Sequence, residues 1–347
     1  MKSLRIILAA AVISVSAASC EKSLMMDDIS ATPTNTFNYL WQKLDSQYSL
    51  FDAKGVDWQR VYDTLCPKVS NAMSADSLFS VCAAMLGTLG DGHVNLYSSF
   101  DVSKADSLYY HFYADGGIET NTMVLNYLGI GYHSTGGMVH NSLCGGRVIY
   151  IYYGSFSSSV SARQLRLIID SYPDAEGLIL DLRGNGGGNL ANVHRILSVM
   201  PSHGQPLYRS QIKNGPRHDD FTPLETTLAP QTADGEAFAK PVAVLIDRGC
   251  FSATSVFAIC TQAYGNMFLV GDTTSGGLGL PTMCVLPNGW VCRYPVTRTF
   301  ALDGKNYENG VPPDIYCPFD RHAAQTLGRD NIIDTACQII LNSNLNS

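Results

Sequence analysis

The sequence has no cluster of basic residues. Its 347 residues include 23 Lys and Arg against 30 Asp and Glu, which gives a formal net charge of -7 at pH 7. Proteins that bind nucleic acids neutralise phosphates with clustered Lys and Arg, so we expect no nucleic-acid partner. Charged residues make up 15% and hydrophobic residues 46% of the chain, which predicts a globular protein with one large and one smaller domain.

The ten cysteines show no paired spacing. There is no CxxC motif, so the sequence predicts no metal site, and we expect no organic cofactor. Once Cys20 is set aside for the reason given below, the cysteines are odd in number, which argues against a dense disulfide framework. Cys66, Cys82, Cys260 and Cys337 lie in apolar helical patterns and are predicted to be buried thiols.

The N-terminus has the pattern of an export signal. Lys2 and Arg5 precede an apolar run at residues 6–15, and small residues follow, which predicts a signal peptide over residues 1–19. The run is too short to anchor the chain by spanning a bilayer.

The segment around Cys20 resembles a bacterial lipobox, with Ala17, Ala18 and Ser19 before it. It predicts a lipid anchor at Cys20 with a linker over residues 20–33, and therefore an exported lipoprotein of a bacterial cell envelope, facing the periplasm or the cell surface. The alternative is ordinary cleavage beside an unmodified cysteine.

Apolar periodicity divides the rest of the chain. Residues 34–92 show helical spacing and predict an N-terminal helical region, while residues 93–347 predict an α/β catalytic domain. Short alternating runs predict strands over residues 94–152, and strands then alternate with helices, which predicts a largely parallel sheet. The expected helices are RQLRLIIDSY, ANVHRILSVM and SATSVFAICTQAY, and the expected strands are GLILDL, PVAVLID and MFLVGD.

Three consecutive glycines, Gly186 to Gly188, follow the strand GLILDL and precede a helix. Their N–H groups are expected to face whatever lies at that helix N-terminus. A dinucleotide-binding fingerprint would need glycine at Asn189, and a P-loop would need Gly-Lys-Ser/Thr, so the sequence disfavours nucleotide binding.

Three separated positions carry side chains suited to acyl transfer. Ser252 begins a predicted helix, so it is either a helix N-cap or a nucleophile beside a site that stabilises negative charge. His93 lies in the glycine-flanked turn GDGHVNLYS, within reach of solvent and suited to a general base. Glu308 precedes the turn NGVPPD, where a carboxylate could orient an imidazole. Each alone is more typical of a cap or a surface residue, so the hypothesis depends on their occurring together.

Together these segments resemble the C-terminal processing, or tail-specific, serine proteases and the tricorn protease core. The matching segments are LGDGH from Leu89, DLRGNGGG from Asp181, SATSVFA from Ser252, VGDTTSG from Val270 and GVPPD from Gly310. The resemblance implies an α/β fold with a ClpP/crotonase-like mixed βαβ core, an N-terminal helical region and no recognisable PDZ domain. The space between Tyr97 and the strand at Val148 is about half of what a PDZ module needs.

The resemblance implies that Ser252 is the nucleophile, His93 the base and Glu308 the residue that orients it. Ser255, by contrast, falls where many relatives carry Glu. The Ser/Lys branch of the family has its lysine where this chain has Gly277, so the tricorn-like Ser/His/Glu branch is the better match.

The resemblance also implies that the N–H groups of Gly187 and Ala253 form an oxyanion hole. Asp181, Arg183 and Asn185 are predicted to support the site, the first two through an ion pair.

The sequence therefore predicts a serine endopeptidase or C-terminal processing peptidase that acts on peptides or unfolded proteins. An alternative is a catalytically inactive peptide-binding lipoprotein of the same fold, in which His93 and Glu308 lie too far from Ser252 to interact. Hydrolysis of a non-peptide ester or amide by the same three residues is a further alternative, because a fold does not reveal its substrate. The sequence gives no oligomeric state.

Overall fold

The computed structural model describes residues 29–105, 118–233 and 235–343. The predicted signal peptide and the predicted lipid attachment site Cys20 lie outside the described residues, as does most of the 20–33 linker. Within the described residues, none of the helices combines the length and the apolar character that a membrane crossing requires. The domain boundaries drawn from the sequence stay predictions.

Helices form the N-terminal unit. Thr32, Asp57 and Ser74 begin three of them, each accepting a hydrogen bond from a backbone N–H in the first turn. The helices pack around Trp58 and Met85, which are buried. The predicted N-terminal helical region is thereby confirmed. Its helices are α1 (Pro33–Gln47), α2 (Phe51–Lys54), α3 (Trp58–Leu65), which runs into a 3₁₀ turn (Cys66–Lys68), and α4 (Ala75–Gly87).

A small antiparallel sheet belongs to the same unit. It has the order β1–β11–β10, with Leu96 of β1 opposite Cys292 of β11. Leu96, Cys292 and Tyr294 share one buried core with the N-terminal helices. The unit therefore takes two of its strands from the far end of the chain, which joins it to the rest of the protein. The strands are β1 (Asn95–Tyr97), β10 (Pro281–Val285) and β11 (Val291–Pro295).

The main sheet is mixed and has the order β13–β9–β8–β5–β4–β3–β2. The strands from β13 to β4 are parallel, and β3 and β2 are antiparallel. This confirms the predicted mixed α/β core. The strands are β2 (His133–Thr135), β3 (Met138–Leu143), β4 (Val148–Tyr152), β5 (Gly177–Asp181), β8 (Val242–Ile246), β9 (Met267–Gly271) and β13 (Ile315–Tyr316).

Helices cover both faces of this sheet, which is why β5 and β8 are buried along their whole length. Leu178 and Leu180 of β5 share a core with α6, α7 and α8, while Ile179 faces α10. A 3₁₀ turn (Thr261–Ala263) follows α8. The helices are α6 (Ala162–Asp170), α7 (Leu190–Leu197), α8 (Ala253–Cys260), α9 (Arg321–Leu327) and α10 (Asn331–Ser343).

A third, antiparallel sheet lies beside this core with the order β12–β6–β7. Its strand β6 contacts α8, the helix that begins after Ser252. The strands are β6 (Pro206–Ile212), β7 (Glu225–Leu228) and β12 (Thr297–Phe300).

One segment predicted as strand is helical. The turn α5 (Thr120–Thr122) continues as a π-helix (Met123–Leu128) inside the 94–152 region, so the strand prediction is wrong there. Met123 and Leu128 are buried against Val148 and Tyr150 of β4. A short apolar run has no periodicity that separates a buried helix from a strand, so the packing partner decides.

A buried ion network fixes the end of β5. The guanidinium of Arg183 lies 2.6 Å from Asp181 Oδ2 and 2.8 Å from Asp330 Oδ2, and all three side chains are at most 1% exposed. Tyr150 donates its hydroxyl to Asp181 at 2.7 Å. Asp330 also accepts the N–H groups of Ile332 and Ile333. The network therefore joins β4, β5 and the start of α10.

Replacing Arg183 with Met should lower the free energy of unfolding by about 3–5 kcal/mol, because Asp181 and Asp330 would remain buried without their counter-charge. Urea unfolding followed by circular dichroism measures this. Arg147→Met is the matched control, since Arg147 pairs with Glu176 at the surface, where such pairs contribute about 0–1 kcal/mol. If Arg183→Met and Arg147→Met lowered the free energy of unfolding equally, the role given to the buried network would be contradicted.

Candidate active site

Ser252 adopts a strained backbone conformation where α8 begins. Its φ is 57° and its ψ is −121°, a combination that non-glycine residues rarely adopt. Ser252 occupies the N-cap position of α8, as the sequence allowed, but its side chain makes no hydrogen bond to the helix, so it does not act as a capping group. The hydroxyl Oγ instead lies 3.1 Å from Nε2 of His93. Strain of this kind, maintained by its surroundings, is typical of functional positions.

His93 is buried, although the sequence predicted a turn within reach of solvent. Its side chain is 2% exposed and packs against Phe251 with ring centroids 4.6 Å apart. Desolvation lowers the pKa of His93 to about 4; Asp91 opposes this, while Arg293 and Lys54 add to it. The imidazole is therefore neutral near pH 7, which leaves one ring nitrogen able to accept a proton.

Glu308 is buried beside the same site. Its Oε2 accepts the N–H groups of Leu278 at 2.8 Å and Gly279 at 3.0 Å, and its Oε1 lies 3.8 Å from Lys54 Nζ. Burial and then the charge of Asp91 raise the pKa of Glu308 to about 8, while Lys54 and the two N–H groups act in the opposite direction. This carboxyl group therefore titrates close to neutral pH.

The structure brings Ser252 and His93 together but does not join His93 to Glu308 by a hydrogen bond. His93 Nδ1 and Glu308 Oε1 are both buried, and neither has a hydrogen-bond partner within the part of the chain that the structure describes. The orienting role of Glu308 thus stays a prediction. The two groups are chemically complementary, because a protonated Nδ1 is a donor and a carboxylate oxygen an acceptor.

The sequence analysis missed three residues that surround this pair. Asp91 accepts the backbone N–H of His93 at 2.8 Å and the hydroxyl of Tyr48 at 2.8 Å. Lys54 donates to Asn309 Oδ1 at 2.9 Å. The LGDGH segment contains Asp91, and an Asp two residues before the His was a usable signal. Tyr48 and Lys54 come from the N-terminal unit and have no motif.

The glycine loop lies directly against the nucleophile segment. A side-chain carbon added at Gly187, whose φ is +95°, would lie 2.8 Å from Ser252 Cβ and 2.9 Å from the Ala253 nitrogen, so only glycine fits there. The Ala253 N–H has no acceptor among the described residues, as is usual for the first turn of a helix. The Gly187 N–H donates to Asn185 Oδ1 at 3.0 Å. The oxyanion-hole prediction is therefore untested, and its Gly187 donor is occupied in this conformation.

Asn185 connects the glycine loop to the helix that carries the nucleophile. Its side chain accepts the hydroxyl of Thr254 at 2.9 Å and donates to the carbonyl of Tyr153 at 2.8 Å. Its backbone carbonyl accepts the N–H of Phe251 at 3.1 Å. Asn185 therefore contacts both sides of the site, and the predicted ion pair of Asp181 with Arg183 lies just before it in the chain.

Two further positions, Ser255 and Gly277, show why Ser252 is the candidate nucleophile and why no lysine assists it. Ser255 is fully buried and donates to Thr274 Oγ1 at 3.0 Å, so it lies away from the site. Gly277 has a φ of +74°, and a side-chain carbon there would lie 2.2 Å from the ring of Phe251. A lysine therefore has no room at this position, in addition to being absent from the sequence.

Ser252 and His93 open onto a cleft of about 530 Å³. Its walls include the glycine loop 186–188, Asn95, Lys104 and Arg293. This volume is within the usual range for a ligand site. Across residues 29–105, 118–233 and 235–343, His, Cys, Asp and Glu side chains form no group of three that could hold a metal ion.

Comparison with known proteins gives two family matches. The model for peptidase family S41 matches residues 147–317, and the model for the tricorn protease C1 domain matches residues 30–87. The crystal structure of a candidate peptidase from Parabacteroides merdae ATCC 43184 has a TM-score of 0.84 and 34% sequence identity, over 90% of this chain and 97% of that one.

Two curated relatives come from Bacillus subtilis strain 168. The carboxy-terminal processing protease CtpA is 27% identical over 161 residues, which is 46% of this chain and 32% of CtpA. CtpB, of the same description, is 29% identical over 193 residues, 50% of this chain and 38% of CtpB. The matches thus span about a third of the length of these relatives.

We predict that Gly277→Ala is more destabilising than Gly289→Ala. Both glycines have positive φ, +74° and +85°, but nothing lies within 4 Å of a side-chain carbon at Gly289. Each alanine carries the left-handed cost of about 1–2 kcal/mol, and the contact with Phe251 should add about 1–3 kcal/mol at Gly277. Urea unfolding measures the difference. Indistinguishable midpoints would show that Phe251 moves away freely.

Proposed function

Because this chain belongs to peptidase family S41, we propose that it is a serine peptidase that hydrolyses peptides or unfolded proteins through Ser252, His93 and Glu308. The observation that carries the proposal is the 3.1 Å contact between Ser252 Oγ and His93 Nε2 at the strained start of α8. The inactive alternative required His93 to be out of reach of Ser252, so this contact argues against it. A nucleophile within hydrogen-bond reach of a neutral base is the arrangement that acyl transfer needs.

The proposed reaction begins when Ser252 Oγ attacks the peptide carbonyl and His93 Nε2 takes its proton. The imidazolium then gives that proton to the leaving amine, and a water molecule hydrolyses the acyl-enzyme by the same exchange. Nε2 accepts a proton only when Nδ1 carries the ring hydrogen. Glu308 Oε1 is the acceptor that we assign to that hydrogen, and the contact would tighten when substrate binds, as catalytic hydrogen bonds often do.

The N–H of Ala253 would donate to the oxyanion that forms during attack. A second donor is assigned to Gly187, whose N–H would exchange Asn185 Oδ1 for the substrate. Asn185 would keep its bond to Thr254, so the loop stays attached to α8. Losing one such donor costs other acyl-transfer enzymes about 10²–10³ in kcat.

The proposal extends to the location of the enzyme. The predicted signal peptide and the predicted lipid at Cys20 would hold the mature protein at a membrane of the cell envelope, where peptides and unfolded proteins are available as substrates. The mass of the mature protein would show whether Cys20 carries a lipid.

Incubating the protein with an unfolded protein near neutral pH should give fragments that mass spectrometry detects. Ser252→Ala should abolish them, because no other hydroxyl is assigned to the attack. Ser255→Ala is the matched control, since it removes a buried hydroxyl one helical turn away and should leave cleavage in place. Fragments from Ser252→Ala at the wild-type rate would contradict the proposed function.

The pH dependence of kcat/KM should show two steps. Activity should fall to zero as pH drops through about 4, where His93 becomes protonated and can no longer accept the serine proton. A second, partial rise should follow as Glu308 ionises near pH 8, since the carboxylate stabilises the imidazolium.

Lys54→Met should move this upper step to higher pH, because the ammonium 3.8 Å from Glu308 Oε1 favours its charged form. Lys54→Arg should leave the step near its wild-type position. An unchanged upper step in Lys54→Met would show that Glu308 is not the group that titrates there.

A further inference from the structure

The described residues that line the catalytic cleft include cationic side chains and no anionic ones. Lys104 and Arg293 are among its lining residues, and no Asp or Glu of the described residues is. This local balance is opposite to that of the whole chain, whose formal net charge is -7. A concave site lined by one sign of charge attracts ligands of the other sign.

Arg293 is placed in this wall by its strand and by one side-chain hydrogen bond. It lies on β11, the central strand of the small sheet, opposite Asn95 of β1. Its Nη1 donates to Asn95 Oδ1 at 3.3 Å. None of the ion pairs among the described residues involves Arg293. A guanidinium has five N–H donors. Most of the hydrogen-bonding capacity of Arg293 is therefore available to a ligand in the cleft.

A cation with no ion-pair partner among the described residues also works against catalysis. The charge of Arg293 helps to keep His93 neutral, and for the same reason it opposes the imidazolium that forms when Ser252 attacks. An anion bound to Arg293 would remove this opposition. The ligand that pairs with Arg293 would thus also favour the reaction step.

We propose that Arg293 is a specificity-determining residue that binds a carboxylate of the peptide substrate inside the catalytic cleft. The proposal rests on the proposed peptidase function. A planar guanidinium binds a carboxylate through two parallel hydrogen bonds, a geometry that lysine does not reproduce. Because the cleft measures about 530 Å³, the carboxylate lies within a few residues of the cleaved bond. It is either the C-terminal carboxylate of the substrate or an Asp or Glu side chain.

The test compares peptides that share one neutral core sequence. The first pair differs only at the C-terminus, which is a free carboxylate in one peptide and an amide in the other. In the remaining pairs the C-terminus is an amide, and Glu is compared with Gln at one position on either side of the cleaved bond. The wild-type protein should cleave at least one carboxylate peptide with a kcat/KM about tenfold or more above its neutral partner, as expected for charge-assisted hydrogen bonds. A higher kcat/KM for the peptide with the free C-terminus identifies the terminal carboxylate as the ligand. A higher kcat/KM for a Glu peptide identifies a side-chain carboxylate.

Arg293→Gln should abolish this preference by lowering kcat/KM for the carboxylate peptides. It should not lower kcat/KM for the neutral peptides, because it removes a charge that opposes the imidazolium. Arg293→Lys should restore the preference only in part. Arg209→Gln is the matched control, because Arg209 is exposed on β6 and does not line the cleft. A similar loss for carboxylate and neutral peptides in Arg293→Gln would overturn the proposal and make Arg293 a structural partner of Asn95. Absence of any preference in the wild type would overturn it too.

Binding to the Ser252→Ala protein separates this inference from the proposed function. Fluorescently labelled carboxylate and amide peptides should differ in Kd by about tenfold, and adding Arg293→Gln should remove the difference. Equal Kd values overturn the carboxylate site whether or not the protein cleaves peptides. Cleavage by Ser252→Ala at the wild-type rate would instead overturn the proposed function and leave the binding result standing.

Discussion

The buried charge of Arg183 is the constraint from which the site is built. A guanidinium with no solvent must keep both of its carboxylates, Asp181 and Asp330, because an unpaired charge in that position costs several kcal/mol. The end of β5 is thereby fixed to the start of α10. The glycine loop leaves the sheet from this fixed point, and Asn185 ties the loop to α8. The position of Ser252 follows from these contacts in turn.

A second constraint is that the site is complete only where the two units meet. Ser252 belongs to the α/β core, whereas His93 stands at the junction with the small sheet. Tyr48 and Lys54 of the N-terminal helices then contact Asp91 and the surroundings of Glu308. The helices share a buried core with strands from the far end of the chain, and this packing holds the junction together. Burial at this junction gives His93 and Glu308 their shifted pKa values.

Much of the fold and part of the candidate site could be predicted from local sequence. The alternation after residue 160 predicts the βαβ core, because buried strands and amphipathic helices differ in period over their whole length. Ser252 and His93 came from residue chemistry combined with family resemblance. The burial of His93 could not be predicted, because Phe251, far along the chain, covers a turn that looks exposed. Lys54 and Arg293 belong to no motif, and only the fold brings them to the site.

Burial is the main reason why His93 is neutral, and the charges around it add smaller effects of both signs. Asp91 favours a positive ring, while Arg293 and Lys54 oppose one. Glu308 adds a second negative charge only when it is ionised, which burial disfavours below about pH 8. With Glu308 protonated, Asp91 is the one carboxylate of the described residues that is named as favouring a positive ring at His93. A substrate carboxylate at Arg293 would add a negative charge near His93. The same interaction would then bind the substrate and stabilise the imidazolium.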